Sequence, residues 1–114
     1  MRDEPLLYTV SDGTREGSIV IRLSGPLTLG NMFEFQAELR TIEAPITVID
    51  LSGTPYMDSA GMGMLINFYV HAEKQSRKMA LAGVNERVEA LLDMTHTKAL
   101  LRVYPTAAEA EDAA

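Results

Sequence analysis

A candidate functional site lies where an apolar segment of the sequence gives way to a loop and then to a helix. In the segment 48–65, V-I-D-L-S-G-T-P-Y-M-D-S-A-G-M-G-M-L, Gly53 and Pro55 mark the loop. Asp58 is a favoured helix N-cap residue, so Ser59 would lie in the first helical turn with its hydroxyl exposed. In open α/β sheets the functional residues usually lie at the carboxyl ends of the parallel strands. The residues alone leave two interpretations open: a serine that does chemistry, or an aspartate that only caps a helix.

Enzymatic chemistry at Ser59 finds little support in the sequence. No G-x-S-x-G pattern surrounds the serine, and His71 and His96 fall in no pattern that is typical of a metal site. Gly61-Met62-Gly63 would begin a dinucleotide-binding G-x-G-x-x-G motif, but the motif fails at Ile66, and no phosphate-binding G-x-x-x-x-G-K-[ST] loop is present. We therefore expect no enzymatic activity, no metal ion and no cofactor.

The residues after the serine are unusual for the first turns of a helix. Gly61 and Gly63 each cost ~1 kcal/mol against alanine in a helix interior. Such residues are useful where another backbone or a partner must approach closely, although glycines that merely permit packing remain an alternative. Met62 is expected to lie in the exposed first turn and to contact a partner, because flexible thioethers suit adaptable binding surfaces.

The elements that surround this site alternate between strands and helices. Their order is β-β-α-β-α-β-α-β, with a further helix or a frayed tail at the end, which predicts an α/β fold with a mixed, mostly parallel sheet of about five strands. Thr28 and Asn85 are predicted to cap the first and the third helix. The apolar face of the first helix is predicted to contain Leu29, Met32, Phe33, Ala37 and Leu39. The predicted strands span residues 6–10, 18–24, 46–51, 79–82 and 100–104, and the predicted helices span about 29–42, about 59–78, a segment from residue 85, and 106–114.

Length and composition narrow the class of protein. The chain of 114 residues has the size of one domain, so we expect a single domain over residues 1–114. It contains no cysteine, which excludes disulfides and thiolate metal sites. A net charge of −6 argues against direct nucleic-acid binding and suits a partner with a basic face. No apolar run is long enough to span a membrane and no signal peptide is recognisable, so we expect a cytoplasmic protein.

The sequence resembles the STAS domain of bacterial anti-sigma factor antagonists over nearly its whole length. In that family a strand ending in D-L-S leads through a loop to D-S-[SAT]-G-[LM]-G, and the matching residues here are Asp50-Leu51-Ser52 and residues 58–63. Leu23-Ser24-Gly25 matches the family's L-x-G before the first helix. Residues 86–94 resemble its V-x-x-L-L-x-x-[ST]-G-L region, and the order of the elements agrees as well.

This resemblance implies a phosphorylation switch without enzymatic activity of its own. The serine that follows the aspartate in the family is phosphorylated by a partner anti-sigma factor, which is itself a serine kinase, and Ser59 matches that serine. The unphosphorylated protein binds the anti-sigma factor and releases a sigma factor; phosphorylation ends the binding, and a phosphatase reverses it. The residues expected to contact the partner are Asp58, Ala60, Gly61, Met62, Gly63 and Thr28.

Two departures from the family pattern affect the expected partner contacts. The family often has G-E-L-D where this chain has Gly25-Pro26-Leu27-Thr28, so an acidic contact is missing, and Thr95-His96-Thr97 replaces the family's S-G-L. Two other interpretations stay open beside the switch. One is a STAS scaffold or accessory subunit of a stress-signalling or transporter complex, and the other is a small enzyme or nucleotide binder that uses the Asp58–Ser59 loop.

Overall fold

A computed structural model describes residues 5–113 as five strands and five helices. The predicted alternation of strands and helices is confirmed, with one additional short helix before the last strand. The strands are β1 (Leu7–Asp12), β2 (Ser18–Ser24), β3 (Ile46–Gly53), β4 (Lys78–Ala82) and β5 (Val103–Tyr104). The helices are α1 (Phe33–Leu39), α2 (Ser59–Lys74), α3 (Glu86–Met94), α4 (Lys98–Leu101) and α5 (Ala107–Ala113).

The strands form one sheet in the order β1-β2-β3-β4-β5. The first two strands form an antiparallel hairpin, and every later pairing is parallel, so the predicted mixed and mostly parallel sheet is confirmed. The central strand β3 is rich in β-branched and apolar residues, as expected for a parallel strand covered on both faces. Val48 of β3 lies opposite Val20 of β2 and Ala80 of β4, and it is fully buried.

The two faces of the sheet carry cores of different sizes. The larger core joins alternate residues of the strands, such as Ile49 and Leu51, to apolar residues of helices α1 to α4. The smaller core is formed mainly by valine and alanine, and Ala110 of α5 packs on it. Short side chains on that face let a single short helix approach the sheet closely. Across residues 5–113, no helix combines the length and the apolar character needed to cross a membrane.

Helix α1 begins four residues later than predicted because a local turn precedes it. The backbone N–H of Thr28 donates to Asn31 Oδ1 (2.9 Å), and Asn31 Nδ2 donates to the Pro26 carbonyl (2.8 Å). Asparagine often competes with helix formation by making such bonds to nearby backbone groups. The N-cap position of α1 is Met32, whose side chain makes no cap bond, so the prediction that Thr28 caps this helix is wrong.

The buried face of α1 also differs from the predicted one. The side chains that enter the core are those of Met32, Phe35 and Leu39, whereas Leu29 and Phe33 are 55% and 58% exposed. The predicted apolar face assumes a helix that starts at residue 29. Because residues 28–31 form a turn and not a helix, the residues before α1 do not continue the face of that helix.

Two other boundaries differ from the predictions. Helix α2 ends at Lys74, because Ser76 adopts a left-handed conformation (φ 60°) and the Arg77 N–H donates to the Ala72 carbonyl (2.8 Å), a typical helix-terminating arrangement. Near the C-terminus, the strand predicted over 100–104 is only two residues long. Residues 98–101 form α4 instead, and Leu101 at the end of this helical turn is buried in the larger core.

Candidate functional site

The loop of residues 54–57 joins β3 to α2 and is fixed by the segment that follows β2. The Leu27 N–H donates to the Tyr56 carbonyl (3.1 Å), and the Asp58 N–H donates to the Leu27 carbonyl (3.2 Å). Leu27 and Met57 also form an isolated parallel bridge, and both side chains are buried. These contacts place the start of α2 beside the turn that precedes α1.

The carboxylate of Asp58 uses both of its oxygens to hold backbone groups. Its Oδ1 accepts from the Gly61 N–H (2.8 Å), so the predicted N-cap of α2 is confirmed. Its Oδ2 accepts from the Leu29 N–H (3.0 Å), a bond to a residue 29 positions earlier in the chain. Asp58 therefore stabilises the first turn of α2 and also ties that turn to the segment before α1.

Ser59 is the first residue of α2 and is exposed. The first turn of a helix has backbone N–H groups without helical partners and carries the positive end of the helix dipole, which favours negative charge. Within residues 5–113, no cluster of His, Asp and Glu side chains could hold a metal ion. The carboxylate next to Ser59 is already engaged by two backbone N–H groups. Ser59 is therefore exposed beside a helix terminus that favours negative charge.

The two glycines of the first turns have different roles. A Cβ atom added to Gly61 would lie 2.4 Å from the backbone oxygen of Leu27, a contact that needs the backbone to shift. A Cβ atom added to Gly63 would meet no atom of residues 5–113 within 4 Å. The interpretation of close backbone approach is therefore confirmed for Gly61. Packing among the described residues does not require a glycine at position 63, and Gly63 leaves the surface open one turn after Ser59.

The expectation that Met62 is exposed is wrong. Its side chain is only 5% exposed, and its sulfur lies 3.3 Å from Thr95 Oγ1 and 3.6 Å from Thr97 Oγ1. Met62 therefore packs between α2 and the turn that follows α3, and its side chain is not available to a partner. Thr95 falls on the serine or threonine of the family pattern, whereas Thr97, which stands where the family has leucine, adds a second hydroxyl beside this sulfur.

Thr28, the other expected contact residue, is half-buried, and its hydroxyl points inward. Its Oγ1 is buried and has no hydrogen-bond partner within residues 5–113. Ala60 is also half-buried, beside the exposed Ser59. Of the six residues predicted for partner binding, Asp58, Ala60 and Gly63 lie with Ser59 on the accessible side of the first turns, while Gly61 and Met62 are buried beneath them.

Asn85 has a contact with this site that the sequence did not indicate. Its Oδ1 accepts from the Val88 N–H (2.9 Å), so the predicted cap of α3 is confirmed. Its Nδ2 donates to the carbonyls of Thr54 (3.3 Å) and Pro55 (2.9 Å). The sequence indicated only that residue 85 is of a type that favours a helix N-cap. Serine or aspartate would cap the helix as well but would not make these two donations.

The match to known proteins agrees with this geometry. The family model of the STAS domain matches residues 9–110. This chain belongs to the STAS domain family. A relative named anti-sigma F factor antagonist, from Paenibacillus polymyxa, is 28% identical over 92 residues, covering 77% of this chain and 79% of its own length.

Solved structures of STAS domain proteins have the same fold. An anti-sigma factor antagonist from Mycobacterium paratuberculosis superposes with a TM-score of 0.83 and 21% identity, covering 95% of this chain and 92% of its own. The Bacillus cell fate determinant SpoIIAA in its phosphorylated form superposes with a TM-score of 0.72 and 17% identity, covering 93% of this chain and 97% of its own. At these identities the likeness establishes the fold.

Proposed function

We propose that this protein is an anti-sigma factor antagonist that is switched by phosphorylation of Ser59. Unphosphorylated, it binds an anti-sigma factor with serine kinase activity and so releases a sigma factor. Phosphorylated, it no longer binds, and a phosphatase restores the active form. The observation that carries the proposal is the exposed Ser59 hydroxyl at the start of α2, on a turn that Asp58 holds in place with both carboxylate oxygens.

The site suits a phosphoryl acceptor better than an enzyme. A kinase would supply ATP, Mg²⁺ and the residue that orients the attacking hydroxyl, so the acceptor needs only to present that hydroxyl. Asp58 does not need to act as a base, because the kinase supplies that group. The Asp58 carboxylate instead accepts hydrogen bonds from the backbone N–H groups of Gly61 and Leu29. Because ATP and sigma factors are found in the cytoplasm, we propose that the protein acts there.

The fold should tolerate the phosphate. Phosphorylation adds about −1.5 to −2 charges, and the N-terminus of α2 offers free N–H groups and a favourable dipole. Asp58 opposes this charge, but the group would be exposed to water and salt, which screen the repulsion. We therefore expect the phosphorylated domain to remain folded.

A bound partner would not tolerate the same charge. We propose that the kinase docks over the accessible side of the first turns of α2, which is formed by Asp58, Ser59, Ala60 and Gly63. Because Gly63 has no Cβ atom, the kinase can approach the helix backbone closely at that position. Binding there would remove water from the phosphate. An uncompensated charge in an interface costs about 2–5 kcal/mol, which is on the order of thirty- to several-thousand-fold in affinity.

The test of the acceptor is the intact mass of the protein after incubation with the anti-sigma factor kinase and ATP. The wild-type protein should gain one phosphate, and Ser59→Ala should gain none. Ser52→Ala is the matched control, because Ser52 is also exposed and lies near the end of β3, before the same loop. It should be phosphorylated like the wild type. A phosphate that persists in Ser59→Ala would refute the assignment.

A further inference from the structure

The loop that carries the proposed phosphoacceptor is held at its beginning by a side chain of another element. Residues 54 and 55 follow β3, and their two carbonyls accept from the same Asn85 Nδ2 group. At the other end of the loop, Tyr56 and Asp58 are bonded to the backbone of Leu27. The loop therefore lies between two anchors, the segment after β2 on one side and the N-terminus of α3 on the other.

One polar group of this loop, the hydroxyl of Thr54, opposes the conformation that the loop adopts. The side chain of Thr54 is 1% exposed, and its Oγ1 has no hydrogen-bond partner within residues 5–113. A hydroxyl that is buried without a partner opposes the conformation that buries it. The bonds that Asn85 makes to the carbonyl of the same residue act against this cost. The loop is thus a segment whose conformation depends on a contact from outside it.

A second contact from α3 strengthens the same anchor. The guanidinium of Arg87 lies over the ring of Tyr56, 4.9 Å from its centroid. Such a contact contributes only modestly at an exposed site. It nevertheless acts on the residue that follows the two carbonyls held by Asn85, so α3 contacts three successive residues of the loop.

We propose that Asn85 is a positioning residue, which holds the loop in the conformation that presents Ser59 to the kinase and thereby sets the rate of phosphorylation. The inference rests on the proposed function of Ser59. Asn85 would act through the loop and not by touching the phosphoryl group. Misplacement of a reacting group by about 1 Å can cost on the order of a hundredfold in rate, so a loosened loop should have a measurable effect.

The substitution Asn85→Asp separates the two contacts of this side chain. Aspartate caps a helix as well as asparagine does, so the bond to the Val88 N–H is retained. The two donations to the loop are lost, and a carboxylate oxygen faces the carbonyls of Thr54 and Pro55. The matched control is Gln75→Glu, the same change from an amide to a carboxylate at an exposed position at the far end of α2 from Ser59.

The experiment measures the kinetics of phosphorylation by the anti-sigma factor kinase, together with amide hydrogen exchange in residues 54–58. We expect Asn85→Asp to lower kcat/KM for the phosphoacceptor about tenfold or more. Exchange in the loop should become faster, while Gln75→Glu should behave like the wild type in both measurements. Removing the unpartnered hydroxyl with Thr54→Val in the Asn85→Asp protein should recover part of the lost rate.

The outcomes distinguish this inference from the proposed function. If the wild type is phosphorylated on Ser59 and Asn85→Asp has the same kcat/KM, Asn85 does not position the acceptor. If the wild type is not phosphorylated at all, the proposed function fails, and hydrogen exchange decides about Asn85. Unchanged exchange of residues 54–58 in Asn85→Asp would then overturn its role as an anchor of the loop.

Discussion

Replacing Asp58 tests whether its carboxylate has two structural roles. Asp58→Ala removes the cap of α2, which costs about 1 kcal/mol, with a range of about 0.5–2. It also removes the bond to the Leu29 N–H, for which we take about 1 kcal/mol, because this exposed N–H can bind water instead. The expected loss is therefore about 2 kcal/mol of unfolding free energy. At about 4 °C per kcal/mol for a domain of this size, the melting temperature should fall by about 8 °C.

Asp58→Asn should lie between the wild type and Asp58→Ala. Asparagine retains an oxygen that can accept from the Gly61 N–H, since it caps helices about as well as aspartate. Its amide nitrogen would face the Leu29 N–H, so the second bond would be lost, at a cost of about 1 kcal/mol. Urea denaturation with thermal melting measures both variants. Equal stabilities of Asp58→Asn and Asp58→Ala, or a loss below about 0.5 kcal/mol in both, would refute this assignment of two bonds.

Three further substitutions have expected outcomes that urea denaturation can check. Gly61→Ala should destabilise the protein by about 1–3 kcal/mol, because its Cβ would collide with the Leu27 backbone oxygen. Gly63→Ala, whose Cβ would lie in open space, should stabilise α2 by up to ~1 kcal/mol. A Gly63→Ala protein less stable than Gly61→Ala would contradict this packing. The buried Glu111 accepts from Ser18 Oγ (2.6 Å), and this bond lowers the pKa of its carboxyl below 4.5. The stabilisation by the Glu111 carboxylate is therefore complete above its pKa in the unfolded chain and is lost as the pH falls through its lower pKa in the folded protein. In Glu111→Gln the unfolding free energy should therefore decrease less steeply below about pH 5 than in the wild type. If both proteins lose stability equally in acid, Glu111 is not a source of this pH dependence.

The elements that depend on local chemistry could be predicted from the sequence. Asp58 and Asn85 were correctly identified as caps, because a cap involves a side chain and a backbone N–H only three residues apart. The strand Ser18–Ser24 has the predicted bounds, since its β-branched run ends at a Gly-Pro pair. The mixed, mostly parallel character of the sheet follows from the alternation of strands and helices.

The features that depend on contacts between distant segments could not be predicted. Met62 is buried because Thr95 and Thr97 come to lie beside its sulfur, and nothing within the first turn of α2 indicates this. The same limit applies to Asn85, whose donations reach residues 30 and 31 positions earlier in the chain. The exposure of Leu29 has a local cause instead, a turn held by the Asn31 side chain, which the spacing of apolar residues does not reveal. A periodicity argument counts residues and does not include such bonds.

The most direct test of the central claim is a calorimetric titration of the anti-sigma factor kinase into the unphosphorylated and the phosphorylated protein. We predict that phosphorylation of Ser59 weakens binding by at least about thirtyfold, while circular dichroism spectra of the two forms stay alike. Ser59→Ala should bind like the unphosphorylated protein, and Ser59→Asp should bind with intermediate affinity, because one charge replaces nearly two. Equal affinity of the phosphorylated and unphosphorylated forms, or a spectrum that shows unfolding after phosphorylation, would contradict it.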